Sequence, residues 1–183
     1  GLNKILKYHN SVIPRIADIL DESLGFAIVS SLDLTKSYHQ FMIAPQDREK
    51  TTFTWQGVKY MFVGAPFGLS NLTPHFQRSM QAMLADFHEF ASPYVDDIIV
   101  RSGDVQEHIA HLQAVIQRLT GHKLTLNQDK CKFGYTQLKI LGHVISGDSL
   151  RIDPKKVSAF ARLSFPNSGK QMQSLLGAAS FLR

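Results

Sequence analysis

The chain has 183 residues, 44% of them hydrophobic and 19% charged, enough to bury a core and too apolar for a disordered polymer. Its 20 Lys and Arg outnumber 15 Asp and Glu, for a formal charge of +5 and a pI near 9.4, a balance that suits a polyanionic partner without requiring one. Cys131 is the single cysteine, so no disulfide framework is expected and a reducing, cytoplasmic setting is; with no charged-then-apolar leader and no run of ~18 apolar residues, neither secretion nor a membrane span is expected.

In chain order, PRIADILDESLG (Pro14 to Gly25) opens with proline at an N1-like place and ends on glycine. Ile16, Ile19, Leu20 and Leu24 share one face, which predicts an amphipathic helix. FAIVSSLDL (Phe26 to Leu34) reads as a continuous apolar strand carrying Asp33 near its end. TTFTWQGVKYMFV alternates on either side of Gln56-Gly57, a hairpin signature. TPHFQRSMQAMLADF spaces Phe76, Met80, Met83, Leu84 and Phe87 as one helical face, so the methionines are core. SPYVDDIIV (Ser92 to Val100) reads as a buried strand pair around two aspartates. DVQEHIAHLQAVIQRLT predicts a long helix whose buried face is Val105, Ile109, Leu112, Ile116 and Leu119. QLKILGHVIS is a strand or hairpin, and DPKKVSAFARL and GKQMQSLLGAASFLR are two helices separated by the breaker SFPNSG. This order predicts an α+β fold: an antiparallel sheet with helices packed on one face.

Adjacent ionised aspartates in a β-branched run are costly to bury. Asp96 and Asp97, as neighbours on one strand, point to opposite faces and cannot cage a cation alone. Asp33 is the partner the rest of the chain offers: if its strand neighbours theirs, Asp33 and at least one of the pair converge at one sheet edge. Two or three carboxylates with waters and substrate phosphates form a Mg²⁺ site, and two such ions serve an in-line phosphoryl displacement.

Five blocks in order resemble the reverse transcriptases, most closely those of gypsy-class LTR retrotransposons and related retroelements. They are LDLTKSYHQF (Leu32 to Phe41), KTTFTWQGVKYMFVGAPFGLSN (Lys50 to Asn71), YVDD (Tyr94 to Asp97), KLTLNQDKCKF (Lys123 to Phe133) and LGHVIS (Leu141 to Ser146). The resemblance covers essentially the whole chain and implies the palm of a right-hand polymerase. Residues 1–40 would hold the end of the fingers and the first palm segment, 41–73 a fingers hairpin, 74–148 the palm with its primer-holding hairpin, and 149–183 the start of a thumb.

The resemblance implies an RNA-directed DNA polymerase core of a retroelement polyprotein, with catalytic residues Asp33, Asp96, Asp97 and Lys130. Asp33, Asp96, Asp97 and the backbone carbonyl of Leu34 would ligate Mg²⁺, with Mn²⁺ as a substitute. Tyr38, Phe67 and Gly68 would bind the nucleotide, Tyr38 by closing the space of a 2′-hydroxyl, and Lys130 would protonate the leaving pyrophosphate. Leu141, Gly142 and His143 would hold the primer end, and Lys155 and Lys156 could meet backbone phosphates. Implied partners are an RNA or DNA template with primer, deoxynucleoside triphosphates, and the rest of the polyprotein, including a ribonuclease H region. The setting implied is cytoplasmic, within virus-like particles. Basic finger residues would precede Leu2 and the thumb would continue past Arg183, so this chain by itself is expected to be a weak polymerase.

Two departures stand against the family pattern. Ser37 occupies the place of a usual glycine, and Leu72-Thr73-Pro74 puts the usual proline one place late. The second puts the turn entering the helix at Pro74 in question, and a catalytically silent nucleic-acid-binding or subunit-interface module is the alternative reading. His108, His111 and Cys131 do not make a zinc site on spacing, because no second close ligand pair accompanies them.

Overall fold

Strand β1 (Ile28–Asp33) is buried from Ile28 to Leu32, its two serines included, because both of its faces are covered. In the computed structural model, which describes residues 2–4, 6 and 13–181, it lies inside a four-stranded sheet. The sheet order is β4 (Ala91–Tyr94), β5 (Asp97–Ser102), β1, β6 (Lys132–Tyr135). β1 and β5 pair antiparallel from Ile28↔Ser102 to Asp33↔Asp97. Alternation then divides their side chains: Leu32, Ile98 and Val100 enter one hydrophobic cluster, Val29 and Ile99 another on the far face. β6 gave no sequence signal, since its four residues are all exposed. It is a strand because the free edge of β1 pairs with it.

The first face carries the expected long helices, α2 (Leu72–Met83) and α3 (Val105–Gly121). Phe76, Met80, Leu84, Val115 and Leu119 are buried between them and the sheet. Helix α2 begins two residues before the expected Pro74. The proline sits third in the helix, where the backbone amide has no partner inside the helix to lose. The face expected of α3 is corrected: Val105 and Ile109 are 62% and 52% exposed. His108 is buried in their stead, alongside Val115 and Leu119. The sheet sets this phase. His108 Nε2 lies 2.6 Å from Ser30 Oγ and Nδ1 lies 2.8 Å from Ser102 Oγ, so rotating the helix would strand two buried hydroxyls. Burial lowers the His108 pKa, with the charge of His111 adding to it. Both ring nitrogens of His108 meet serine hydroxyls, while Cys131 lies at β1 beside Asp33.

The second face is covered by α1 (Ile16–Asp21) and by a separate sheet, β7 (Gln137–Ile140), β8 (His143–Ser146) and β9 (Ser149–Ile152). Ile19, Leu20, Val29, Ile99, Leu138, Ile140 and Ile145 form its core. The third strand exceeds the expected hairpin, and it makes the expected division at 148 fall inside a sheet. Pro14 precedes α1 rather than starting it, Arg15 being the N-cap.

The outer hairpin, β2 (Phe53–Trp55) and β3 (Val58–Tyr60), turns at Gln56 and Gly57 with φ of 48° and 78°, as its sequence indicates. It is anchored at its base, where Gly64 faces the His39 carbonyl so closely that an added Cβ would lie 2.1 Å from the oxygen. Helices α4 (Pro154–Ala161), capped by Asp153, and α5 (Gly169–Phe181) end the described chain. The expected continuation of α5 through Leu182 and Arg183 lies outside the described residues. Among the described residues no helix is long and apolar enough to cross a membrane.

Candidate active site

The β1–β5 register brings the three aspartates to one edge. Asp33 and Asp97 face one another directly across the strand pair, so their side chains leave the same face of the sheet. Asp96 lies between β4 and β5, whose last and first residues, Tyr94 and Asp97, are paired. That leaves Val95 and Asp96 as a two-residue turn, Val95 at φ 50°, a left-handed conformation disfavoured for a β-branched residue. Two side chains hold this turn, and sequence reasoning found neither. The Val95 amide donates to Gln77 Oε1 (2.6 Å) while Gln77 Nε2 donates to the Pro93 carbonyl (2.7 Å). Ser37 Oγ donates to Asp96 Oδ1 (2.5 Å). The available signals were faint: a glutamine inside an apolar helical face, and a serine where the family pattern has glycine.

Electrostatics mark the edge as crowded with negative charge. Burial raises the Asp97 pKa, the charges of Asp33 and Asp96 raise it further, and Lys132 and Lys130 partly offset them. Lys130 Nζ stands 3.7 Å from Asp33 Oδ1 with 66% of its side chain exposed, so the pair is weak and the amine is available to a substrate. Behind Asp33, its amide donates to Cys131 Sγ (3.3 Å) and its carbonyl accepts from Asn127 (2.8 Å). Leu34 bridges Leu126, flanked by the Asn127–Asp33 and Thr35–Thr125 backbone bonds. This alternation turns the Leu34 carbonyl to the side of the strand away from Leu126.

The expected nucleotide residues adjoin this edge. Tyr38 heads inward in the 3-10 turn Ser37–Gln40, its ring meeting Phe67 and Phe76 edge-on at 5.3 and 5.1 Å between centroids. Its hydroxyl lies 3.0 Å from Thr73 Oγ1, so one departure from the family pattern supplies a partner to the buried tyrosine. Burial raises the Tyr38 pKa, the Thr73 contact opposes this, and the Asp96 charge adds to it. Phe67 is exposed and Gly68 follows at φ 92°, which leaves backbone open for close approach.

Leu141 and Gly142 form the β7–β8 turn, at φ 49° and 79°. Leu141 packs on the cluster that Tyr94 also borders, the His143 ring nitrogen Nδ1 is 3.2 Å from the Leu141 carbonyl, and the Gly142 carbonyl accepts from Asp153 (3.1 Å). Of the three, Leu141 thus shares a cluster with Tyr94 at the end of β4, while Lys155 caps onto Asp153 through its backbone amide.

Among the described residues no three His, Cys, Asp or Glu side chains form a ready-made metal cage. The donor set fits a hard cation that takes one or two carboxylates and completes its shell from substrate phosphates and water: all donors are oxygen, and Lys130 and Lys132 relieve their mutual repulsion only in part.

A family model described as reverse transcriptase (RNA-dependent DNA polymerase) matches residues 2–145. The chain is 34% identical over 178 residues to the retrovirus-related Pol polyprotein of the gypsy transposon of Drosophila melanogaster, covering 97% of this chain and 17% of that one. The Pol polyprotein of the opus transposon from the same organism is 37% identical over 163 residues, 88% of this chain and 16% of the relative. The chain thus spans about a sixth of the length of the curated relatives it matches. A foamy viral protease-reverse transcriptase, solved in complex with double-stranded DNA, shares the fold with a TM-score of 0.90 at 23% identity, over 100% of this chain and 32% of that one.

Proposed function

The chain belongs to the reverse transcriptase (RNA-dependent DNA polymerase) family, and from that premise we propose that it is the polymerase core of a retroelement polyprotein. It extends a primer 3′-hydroxyl on an RNA or DNA template, taking deoxynucleoside triphosphates as substrate. The observation that carries this reading is the edge itself: Asp33 facing Asp97 across paired strands, with Asp96 in the adjoining turn.

Asp33 and Asp96, with the Leu34 carbonyl and Asp97, are the groups that hold divalent cations, Mg²⁺ first and Mn²⁺ as a substitute. When bound, such ions neutralise charge developing on the attacking and leaving oxygens of an in-line displacement. The protein's own work is positioning. Lys130, exposed beside Asp33, meets the departing pyrophosphate and is placed to give it a proton. Tyr38, fixed between Phe67, Phe76 and Thr73, forms a wall that a 2′-hydroxyl cannot pass. Phe67 and Gly68 line the approach of the triphosphate, and Leu141, Gly142 and His143 hold the primer end. Sequence information comes from base pairing, the protein reading backbone and duplex shape.

Primer extension on an RNA template tests this reading. The chain should extend the primer in Mg²⁺, and Asp96→Asn should lower the rate by at least about 100-fold, roughly 2.7 kcal/mol of barrier. Circular dichroism should show an unchanged fold. Near-normal extension by folded Asp96→Asn would overturn the assignment.

A further inference from the structure

We propose that Ser37 is a positioning residue that fixes the Asp96 carboxylate for cation binding, an inference that rests on the metal-dependent polymerase reading above. The residue is 3% exposed, so its hydroxyl has no water to turn to and needs an internal partner. That partner lies 59 positions away in sequence: Ser37 Oγ donates to Asp96 Oδ1 at 2.5 Å, a charge-assisted contact and therefore a strong one. Lys36, in the left-handed conformation with φ 45°, makes the sharp bend after β1 that aims Ser37 back toward the turn.

The division of labour at the turn is clear. Gln77 holds the backbone of Val95 and Pro93, and its amide hydrogen bonds go to those backbone groups rather than to the Asp96 side chain. Among the described residues, Ser37 makes the one hydrogen bond to that carboxylate. A half-buried aspartate on a two-residue turn otherwise keeps freedom about two side-chain torsions, which a cation must remove on binding. Donation to one oxygen fixes the plane of the carboxylate, leaving Oδ2 and a lone pair of Oδ1 free to ligate. Partners of this kind, set behind metal ligands, commonly alter metal affinity or activity by 10–100-fold. The family pattern has glycine here, with no hydroxyl to give, so the contact is a property of this chain.

The test titrates Mn²⁺ against the protein by electron paramagnetic resonance, with no nucleotide present, and separately measures extension. Ser37→Ala should weaken Mn²⁺ binding by about 10-fold and lower kcat, leaving the KM for deoxynucleotide near its parent value. Ser37→Cys, which fills the same space with a poor donor, should behave as Ser37→Ala does, and both should melt within a few degrees of the parent. In an Asp96→Asn background, where residual binding rests on Asp33 and Asp97, Ser37→Ala should change nothing further. Parent-like Mn²⁺ affinity in both Ser37 variants, or an undiminished Ser37→Ala effect in Asp96→Asn, overturns the inference alone. A parent protein that binds no Mn²⁺ overturns the metal-site reading, and the inference with it.

Discussion

Gln77→Met offers a sharp test of how the aspartate turn is built. Gln77 is 0% exposed and spans β4 and the turn with one amide, accepting from Val95 N–H at 2.6 Å and donating to the Pro93 carbonyl at 2.7 Å. Methionine keeps the volume and the helix propensity while removing both polar atoms. Each backbone group left without a partner in a buried site costs about 1–3 kcal/mol. Val95 is partly exposed and recovers some of that from water, so the sum is about 2–4 kcal/mol. For a domain of this size each kcal/mol lowers Tm by roughly 2–4 °C, giving a fall of roughly 4–16 °C, and the midpoint in urea should fall with the slope unchanged. Activity should suffer beyond stability. The released Val95 sits in a disfavoured left-handed conformation, relaxes, and carries Asp96 with it, and misplacement by ~1 Å at a reacting centre costs on the order of 100-fold. Gln77→Met within about 0.5 kcal/mol of the parent, with parent-like extension at a temperature where both are folded, would refute this account of the turn.

Asp97→Asn should stabilise the protein at neutral pH, because burial and the charges of Asp33 and Asp96 raise its pKa in the folded state. The sign follows from linkage: the favourable protonated contribution is complete below the unfolded pKa and is lost as pH rises through the higher folded value. The gain should therefore be about 0.5 kcal/mol at neutral pH, the scale of facing like charges, and should vanish in melts below about pH 4; a pH-independent gain contradicts the electrostatic cause. Tyr38→Ala should let ribonucleotides be incorporated, with selectivity for deoxynucleotides falling by at least about 100-fold. It should also cost about 3 kcal/mol of stability, since the ring packs on Phe67 and Phe76. Tyr38→Phe keeps the wall and should keep the selectivity, losing only the Thr73 contact; unchanged selectivity in Tyr38→Ala would show that another group does the excluding.

What the sequence determined by itself is local chemistry. The β-branched run around Asp96 and Asp97 requires a buried strand pair whatever lies beside it, and Gln56-Gly57 supplies a hairpin turn from its own backbone preferences. The face Phe76, Met80, Met83, Leu84 carries its burial in its spacing. Tertiary structure decided whatever depends on register between distant segments. Val105 and Ile109 have the spacing of a buried face and stay in solvent, since the hydroxyls of Ser30 and Ser102 draw His108 inward and fix the rotation of α3. β6 has no apolar alternation to read and exists because β1 offers an unpaired edge. The site itself divides the same way: three aspartates are visible in the chain, but their convergence is a statement about the pairing Asp33↔Asp97. Gln77 and Ser37 act at the turn across 18 and 59 positions, and only the assembled sheet, with α2 and the Ser37–Gln40 turn packed against it, brings their polar atoms within hydrogen-bonding reach of it.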